Sequence, residues 1–137
     1  MTPEQIIDLE PFKLEIESID RQHNEVLSRL SSLLVAFVQG TVDEQNKALD
    51  VIKESFVLWM KHCSDEISLL HKTNWPNIDF HIKDHEKTFI VFSKLKSEPS
   101  IQLIGDVITS IVTHINTYDI KYVEHVKHAI DEGEVTI

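Results

Sequence analysis

The sequence predicts an all-α protein: an up-down-up-down four-helix bundle with an N-terminal arm. Apolar residues recur at helical spacing over four long stretches of the chain. The 137 residues include only three glycines and four prolines, which leaves little sequence for loops. No alternating stretch is bounded by hairpin turns, as paired strands would require. The length further predicts one domain, spanning residues 1–137.

The first 17 residues are predicted to form the N-terminal arm. Pro3 and Pro11 interrupt this segment, and it shows no sustained periodicity. We therefore expect an extended chain that lies across the bundle through its alternating apolar residues: Phe12, Leu14 and Ile16.

The first helix is predicted from Ser18 to Val38. Its inward face carries apolar residues at helical spacing: Ile19, Val26, Leu27, Leu30, Leu33, Leu34 and Phe37. His23 belongs to the same face, four residues after Ile19. Gly40 is expected to cap this helix, because glycine readily adopts the left-handed conformation found at helix C-termini.

The second helix is predicted from Val42 to His71. Its buried face is expected to contain Leu49, Ile52, Phe56, Trp59, Cys63, Ile67 and Leu70. Glu66 lies within this face and His62 at its edge. Because residues four apart lie on one side of a helix, both side chains should point to the same interior.

A turn at residues 74–77 leads to the third helix, which is predicted to extend to Lys96. His81 and His85 are again four apart, in a stripe with Ile78, Ile82, Phe89, Phe92 and Leu95. The tight turn places the second and third helices side by side. Three imidazoles and one carboxylate should therefore face one another.

The fourth helix is predicted from Ile101 to Asp131, with a buried face of Ile104, Val107, Ile108, Ile111, Ile115, Tyr118 and Tyr122. His114 belongs to this face, but Asp119 is five residues further on and therefore about 140° away on an ideal α-helix. For both side chains to reach one site, we predict a one-residue π-bulge between them. The alternative is a regular helix in which side-chain torsion alone brings them together.

Each helix thus contributes ionisable groups to the interior: His23, His62, Glu66, His81, His85, His114 and Asp119. An unpaired buried carboxylate is costly or becomes protonated. A dinuclear metal site removes this cost, with imidazoles as terminal ligands and carboxylates as bridges. The mixed donor set favours iron, with manganese or zinc as alternatives. A structural zinc finger is not indicated, since there is no thiolate cluster.

With these seven residues, the chain resembles the hemerythrin family in its single-domain bacterial form. The resemblance covers about residues 12–125. It extends to short segments beside three of the histidines: Ile19-Asp20-Arg21-Gln22-His23, Trp75-Pro76 and His114-Ile115.

The resemblance implies a non-haem di-iron centre whose ligand is dioxygen. Three histidines would hold one iron: His81, His85 and His114. Two would hold the other, near which dioxygen would bind: His23 and His62. Glu66 and Asp119 would bridge the two iron ions, together with an oxo or hydroxo group.

Three positions differ from residues common in that family. Phe12 and Ser110 stand where tryptophan is common, and Cys63 stands where phenylalanine is usual. The smaller side chains predict space beside the centre and fast conversion to the oxidised form. This expectation holds unless neighbouring apolar side chains fill the space: Phe56, Trp59 or Ile111.

For the function, the resemblance implies oxygen storage, delivery or sensing. The alternative is an enzyme, a di-iron peroxidase or oxidase, or an iron-handling protein. We expect a binding protein rather than an enzyme, because a histidine-rich donor set supports less oxidising chemistry than a carboxylate-rich one.

The composition bears on partners and location. The net charge of −10 argues against nucleic acid and anionic membrane surfaces as partners. No stretch has the length and apolarity of a transmembrane helix, and no signal peptide is visible. The single cysteine, Cys63, cannot form an internal disulfide, so we expect a cytoplasmic protein. No protein partner is predicted.

Overall fold

The computed structural model describes residues 1–135, except for the side chain of Glu44. Every regular element within this range is helical, which confirms the predicted all-α class. The elements are α1 (Pro3–Ile7), α2 (Glu17–Gln39), α3 (Val42–Asn46), α4 (Ala48–Lys72), α5 (Ile78–Ser97), α6 (Ile101–His114), a π-helical segment (Ile115–Asp119) and α7 (Ile120–Asp131). None of the described helices is both long and apolar enough to cross a lipid bilayer.

The long helices pack around a shared interior. Helix α2 contacts α4 and α6, and α5 contacts the same two helices. Buried apolar side chains form a larger cluster, which includes Trp59 of α4 and Ile115 after α6, and a smaller one, which includes Leu70 and Tyr122. Along α4, Glu66 lies between Cys63 of the larger cluster and Leu69 of the smaller one, so apolar packing lies on both sides of this carboxylate.

The prediction of an extended N-terminal arm is wrong for residues 3–7, which form α1. The hydroxyl of Thr2 accepts a hydrogen bond from the Gln5 amide, and the Gln5 side chain accepts one from the Thr2 amide. This capping box stabilises a helix too short for periodicity to indicate. Further along, Phe12 packs against the larger cluster, and Ile16 is buried in the smaller one. The arm therefore does lie across the helices.

The predicted second helix is also wrong in one respect, because it is interrupted at Lys47. Lys47 has φ −93° and ψ −1°, and this flattened turn separates α3 from α4. The turns before and after this predicted helix lie where the sequence predicts them. Gly40 caps α2 with φ 71°, and Asn74 adopts φ 58° between α4 and α5.

The predicted π-bulge is confirmed. Residues Ile115–Asp119 form a π-helical segment, and the Ile120 amide donates to the Ile115 carbonyl, five residues back. The wider turn accommodates one additional residue, so Asp119 rotates back toward the interior. His114 and Asp119 are both fully buried as a result.

Candidate metal centre

The structure brings all seven candidate ligands into one buried site. Each exposes 2% or less of its surface: His23, His62, Glu66, His81, His85, His114 and Asp119. They come from α2, α4, α5, the last residue of α6 and the π-helical segment. The four-residue spacings and the π-bulge therefore place every one of them in the interior.

The donor atoms form two groups that share both carboxylates. One group consists of Glu66, His81, His85, His114 and Asp119; the other consists of His23, His62, Glu66 and Asp119. Within each group, one donor atom from every residue lies within 4.8 Å of all the others. We call these the three-histidine side and the two-histidine side.

Glu66 directs one oxygen to each side. Its Oε1 lies 2.9 Å from His85 Nε2 and also contacts His81 Nε2. Its Oε2 lies 3.1 Å from His62 Nε2. The two oxygens of this one carboxylate are thus divided between the two donor groups.

The two carboxylate oxygens of Asp119 are divided between the two sides in the same way. Its Oδ1 lies 2.9 Å from both His81 Nε2 and His114 Nε2, on the three-histidine side. Its Oδ2 lies 2.9 Å from His23 Nε2, on the two-histidine side. A carboxylate with this arrangement can bridge two cations.

Several of these buried atoms have no hydrogen-bond partner of acceptable geometry among the described residues. They are His23 Nδ1, His23 Nε2, His62 Nε2, His114 Nε2 and both Asp119 oxygens. Buried polar atoms are normally paired, so a convergent unpaired set requires an explanation. Five imidazoles and two carboxylates directed at a common interior fit a pair of metal ions.

The electrostatics of the site also suit cations. Burial would raise the pKa of Glu66, but the neighbouring His62 and hydrogen bonds from surrounding imidazoles hold it well below its usual range. The pKa of Asp119 is likewise lowered, despite burial and the charge of Glu66, by the adjacent imidazoles of His114, His23 and His81. Both carboxylates are therefore ionised inside an apolar interior, where a metal would neutralise them.

Two histidines are oriented by partners behind them. His114 Nδ1–H donates to Asp84 Oδ2 at 2.6 Å, and His62 Nδ1–H donates to Gln22 Oε1 at 2.8 Å. Each hydrogen bond fixes the ring with Nε2 toward the centre, as is typical of metal-bound histidine. Sequence reasoning missed both partners. Gln22 precedes His23 and Asp84 precedes His85, but these positions alone do not indicate the contacts.

Trp59 packs against four of the five imidazoles. Its ring centroid lies 5.1–6.3 Å from those of His23, His62, His85 and His114. Its indole N–H donates to Thr88 Oγ1 at 2.7 Å, and the Thr88 hydroxyl donates to the His85 carbonyl at 2.6 Å. Trp59 is fully buried, so it occupies apolar volume beside the centre. It is one of the side chains that the sequence analysis named as able to fill this space.

Cys63 is not part of either donor group, although it follows His62 directly. It is 4% exposed and packs in the larger apolar cluster. Burial, together with the nearby charges of Glu66 and Asp119, raises the pKa of its thiol. Cys63 is therefore a protonated packing residue rather than a thiolate ligand.

Tyr122 supports the centre from the other cluster. Its hydroxyl donates to Glu66 Oε2 at 2.9 Å, and its ring lies 5.6 Å from that of His81. The sequence placed Tyr122 on the buried face of the fourth helix but gave no indication of this hydrogen bond. This hydrogen bond restrains the Glu66 oxygen that faces the two-histidine side.

Comparisons with family models, curated proteins and solved structures give no match to this chain.

Proposed function

We propose that this chain is a hemerythrin-type up-down-up-down four-helix bundle that holds two iron ions and binds dioxygen reversibly. Its role would be oxygen storage, delivery or sensing. The observation that supports this most directly is the pair of donor groups, which share Glu66 and Asp119 inside one buried site. A single metal site would not need two carboxylates with their oxygens divided between opposite histidine groups.

Iron is the metal that the donors favour. Imidazole and carboxylate suit iron, and neither donor group contains a thiolate. His81, His85 and His114 would hold one iron, and His23 and His62 the other, with Glu66 and Asp119 as bridges together with an oxo or hydroxo group. Two iron ions would supply the reducing equivalents that reversible dioxygen binding needs.

The difference between the two sides indicates where dioxygen binds. The three-histidine side offers five donor residues, and the two-histidine side offers four. An ion held by fewer protein donors retains a position for an external ligand. We therefore assign dioxygen to the side of His23 and His62.

The surroundings favour binding over turnover. The fully buried Trp59 covers four of the imidazoles, which limits the water available for side reactions. The donor set contains five imidazoles but only two carboxylates, and we expect such a set to be less oxidising than the carboxylate-rich alternative. A di-iron peroxidase or oxidase is the second candidate, and the experiment below separates the two.

The proposed partner is dioxygen, and the proposed location is the cytoplasm. The net charge of −10 supports a small neutral ligand over nucleic acid or an anionic membrane. One cysteine, which is buried, is consistent with a reducing compartment.

The test is the visible spectrum of the iron-loaded, reduced protein. The reduced protein is prepared under argon, mixed with air-saturated buffer and then returned to argon, and this cycle is repeated several times. A carrier develops a new absorption band that disappears when oxygen is removed. Zinc-loaded protein, which cannot be oxidised, is the matched control. If no band forms, the carrier function is rejected; if oxygen or peroxide is consumed with turnover of a reductant, the enzyme is favoured.

A further inference from the structure

Two polar side chains of α2 bind the backbone of the N-terminal arm. The Phe12 amide donates to Asn24 Oδ1 at 2.8 Å, and Asn24 Nδ2 donates to the Phe12 carbonyl at 3.0 Å. The carboxylate of Asp20 accepts from the Leu14 amide at 2.8 Å and from the Glu15 amide at 3.1 Å. One side chain, Asn24, thus satisfies both backbone groups of a single arm residue.

The arm residue that Asn24 holds lies over the two-histidine side. The Phe12 ring meets the His23 ring edge-on, with centroids 6.5 Å apart. Phe12 also lines a surface cavity of about 360 Å³ between the arm and α2, together with Ile6, Leu27 and Ser28. His23 itself is fully buried. Phe12 therefore stands between this cavity and the metal centre.

Other contacts hold this part of the arm less directly. Glu15 has φ 64°, a left-handed conformation that is uncommon outside glycine. Its side chain pairs with Lys127 at 2.8 Å, but the Glu15 side chain is 73% exposed, and exposed ion pairs contribute little. Asp20 binds the arm two and three residues beyond Phe12. Among the described residues, Asn24 therefore makes the hydrogen bonds to Phe12 itself, and apolar packing against the larger cluster is the other restraint on its ring.

We propose that Asn24 is a positioning residue for the centre. By fixing the Phe12 backbone, it keeps the phenyl ring over His23 and limits the entry of water and solutes to the two-histidine side. Because Asn24 follows His23 in α2, the same helical turn carries both the ligand and the residue that fixes its cover. This inference rests on the proposed function, in which dioxygen binds on that side.

The test compares Asn24→Ala, Phe12→Ala and the double variant with the unchanged protein. Alanine favours helix at position 24, so the first variant should retain α2. Gln102→Ala is the matched control, since Gln102 also makes a side-chain hydrogen bond, to Asp106, far from the arm in sequence. Three rates are measured on the full chain: deuterium exchange of residues 8–16, loss of bound metal to a chelator, and decay of the oxygen-dependent band.

Asn24→Ala should raise all three rates by about tenfold, because two hydrogen bonds to the arm are lost together. Phe12→Ala should raise metal loss and band decay similarly, and the double variant should be no faster than Phe12→Ala alone. If Asn24 acts only through Phe12, the effects of the two substitutions on these rates must be non-additive. If each substitution merely lowered the stability of the fold, the two effects would add. Gln102→Ala should change none of the rates.

Unchanged exchange and metal loss in Asn24→Ala, or fully additive effects in the double variant, would overturn the assignment. If the unchanged protein gives no oxygen-dependent band, the proposed function is rejected instead. Exchange and metal loss need no oxygen, so they decide the role of Asn24 in either case.

Discussion

The two sides of the metal centre share the same carboxylates but differ in what surrounds them. On the three-histidine side, His114 is backed by Asp84, and the His85 carbonyl is held by Thr88. On the two-histidine side, His62 is backed by the neutral Gln22, and His23 Nδ1 has no partner among the described residues. The ligand side chains of the three-histidine side are therefore held by more hydrogen bonds, and the two-histidine side would leave more freedom to a bound metal.

The sides also differ in their relation to the surface. His81, on the three-histidine side, lines an open cleft of about 340 Å³ together with Trp75, Tyr118 and Lys121. His23, on the two-histidine side, is covered by the Phe12 ring of the arm. If two metal ions bind as proposed, the ion with fewer protein donors would be the covered one. This arrangement would suit a small apolar ligand such as dioxygen, because the cover would keep water from the position left open.

The largest effect is expected from Glu66→Ala, which removes a bridge common to both sides. Both donor groups lose an oxygen, which leaves three donor residues on the two-histidine side and four on the other. Bound metal should therefore fall from two ions per chain to one weakly held ion. Metal analysis after desalting measures this, with circular dichroism as a check on helix content. Glu86→Ala, an exposed position on α5, is the control and should keep both ions. Retention of two ions by Glu66→Ala would contradict the bridging role.

The next prediction compares how strongly the two sides hold metal. His23→Ala leaves only three donor residues on the two-histidine side, whereas His85→Ala leaves four on the other. We expect His23→Ala to hold one ion and His85→Ala to hold two, the second more weakly. Native mass spectrometry counts the ions directly. The opposite order would mean that the two-histidine side is the stronger one.

Asp84→Asn should weaken the three-histidine side without emptying it. Asp84 orients His114 and increases its basicity, and loss of such a partner costs about 10- to 100-fold in metal affinity. Gln22→Leu, which removes the neutral partner of His62, should cost less. Competition with a chelator of known affinity gives both values. Equal losses in the two variants would show that the charge of Asp84 is unimportant.

The last prediction concerns pH. Burial lowers the pKa of His114, but the surrounding carboxylates of Asp119, Asp84 and Glu66 outweigh burial and raise this pKa to about 11 in the metal-free chain. His81 is shifted in the same direction by Asp119 and Glu66, against burial. Protonated imidazole cannot bind metal, so metal entry must release protons throughout the neutral range.

Metal affinity should therefore rise with pH, by about tenfold per unit for each proton released. The rise should continue above pH 7 rather than stop near the ordinary histidine value of about 6.5. Chelator competition at pH 6, 7 and 8, corrected for protonation of the chelator, measures the slope. A flat profile between pH 7 and 8 would show that His114 is already neutral there.

Much of the fold followed from periodicity. The stripes of α2 and α5, and the glycine after α2, predicted those helices to within a residue or two at each end. The failures were short elements. Residues 3–7 form a helix through a local capping box, and Lys47 interrupts the second predicted helix through its backbone conformation alone. Neither feature leaves a periodic signal.

The candidate ligands were accessible to sequence reasoning for a physical reason: a charged or imidazole side chain in an apolar stripe is conspicuous. Even the π-bulge followed, from the five-residue spacing of His114 and Asp119. The supporting residues were not accessible. Asp84, Gln22 and Asn24 are ordinary polar residues in sequence, and only the packing of separate helices and the arm shows what they contact.

In the proposed centre, each side holds one metal ion, and the two ions share Glu66 and Asp119. The most direct test is to count metal in the unchanged protein after anaerobic loading with iron(II) and removal of excess ions. Native mass spectrometry should show one dominant species with two iron ions per chain. Zero or one ion per chain, even under full loading, would contradict the account.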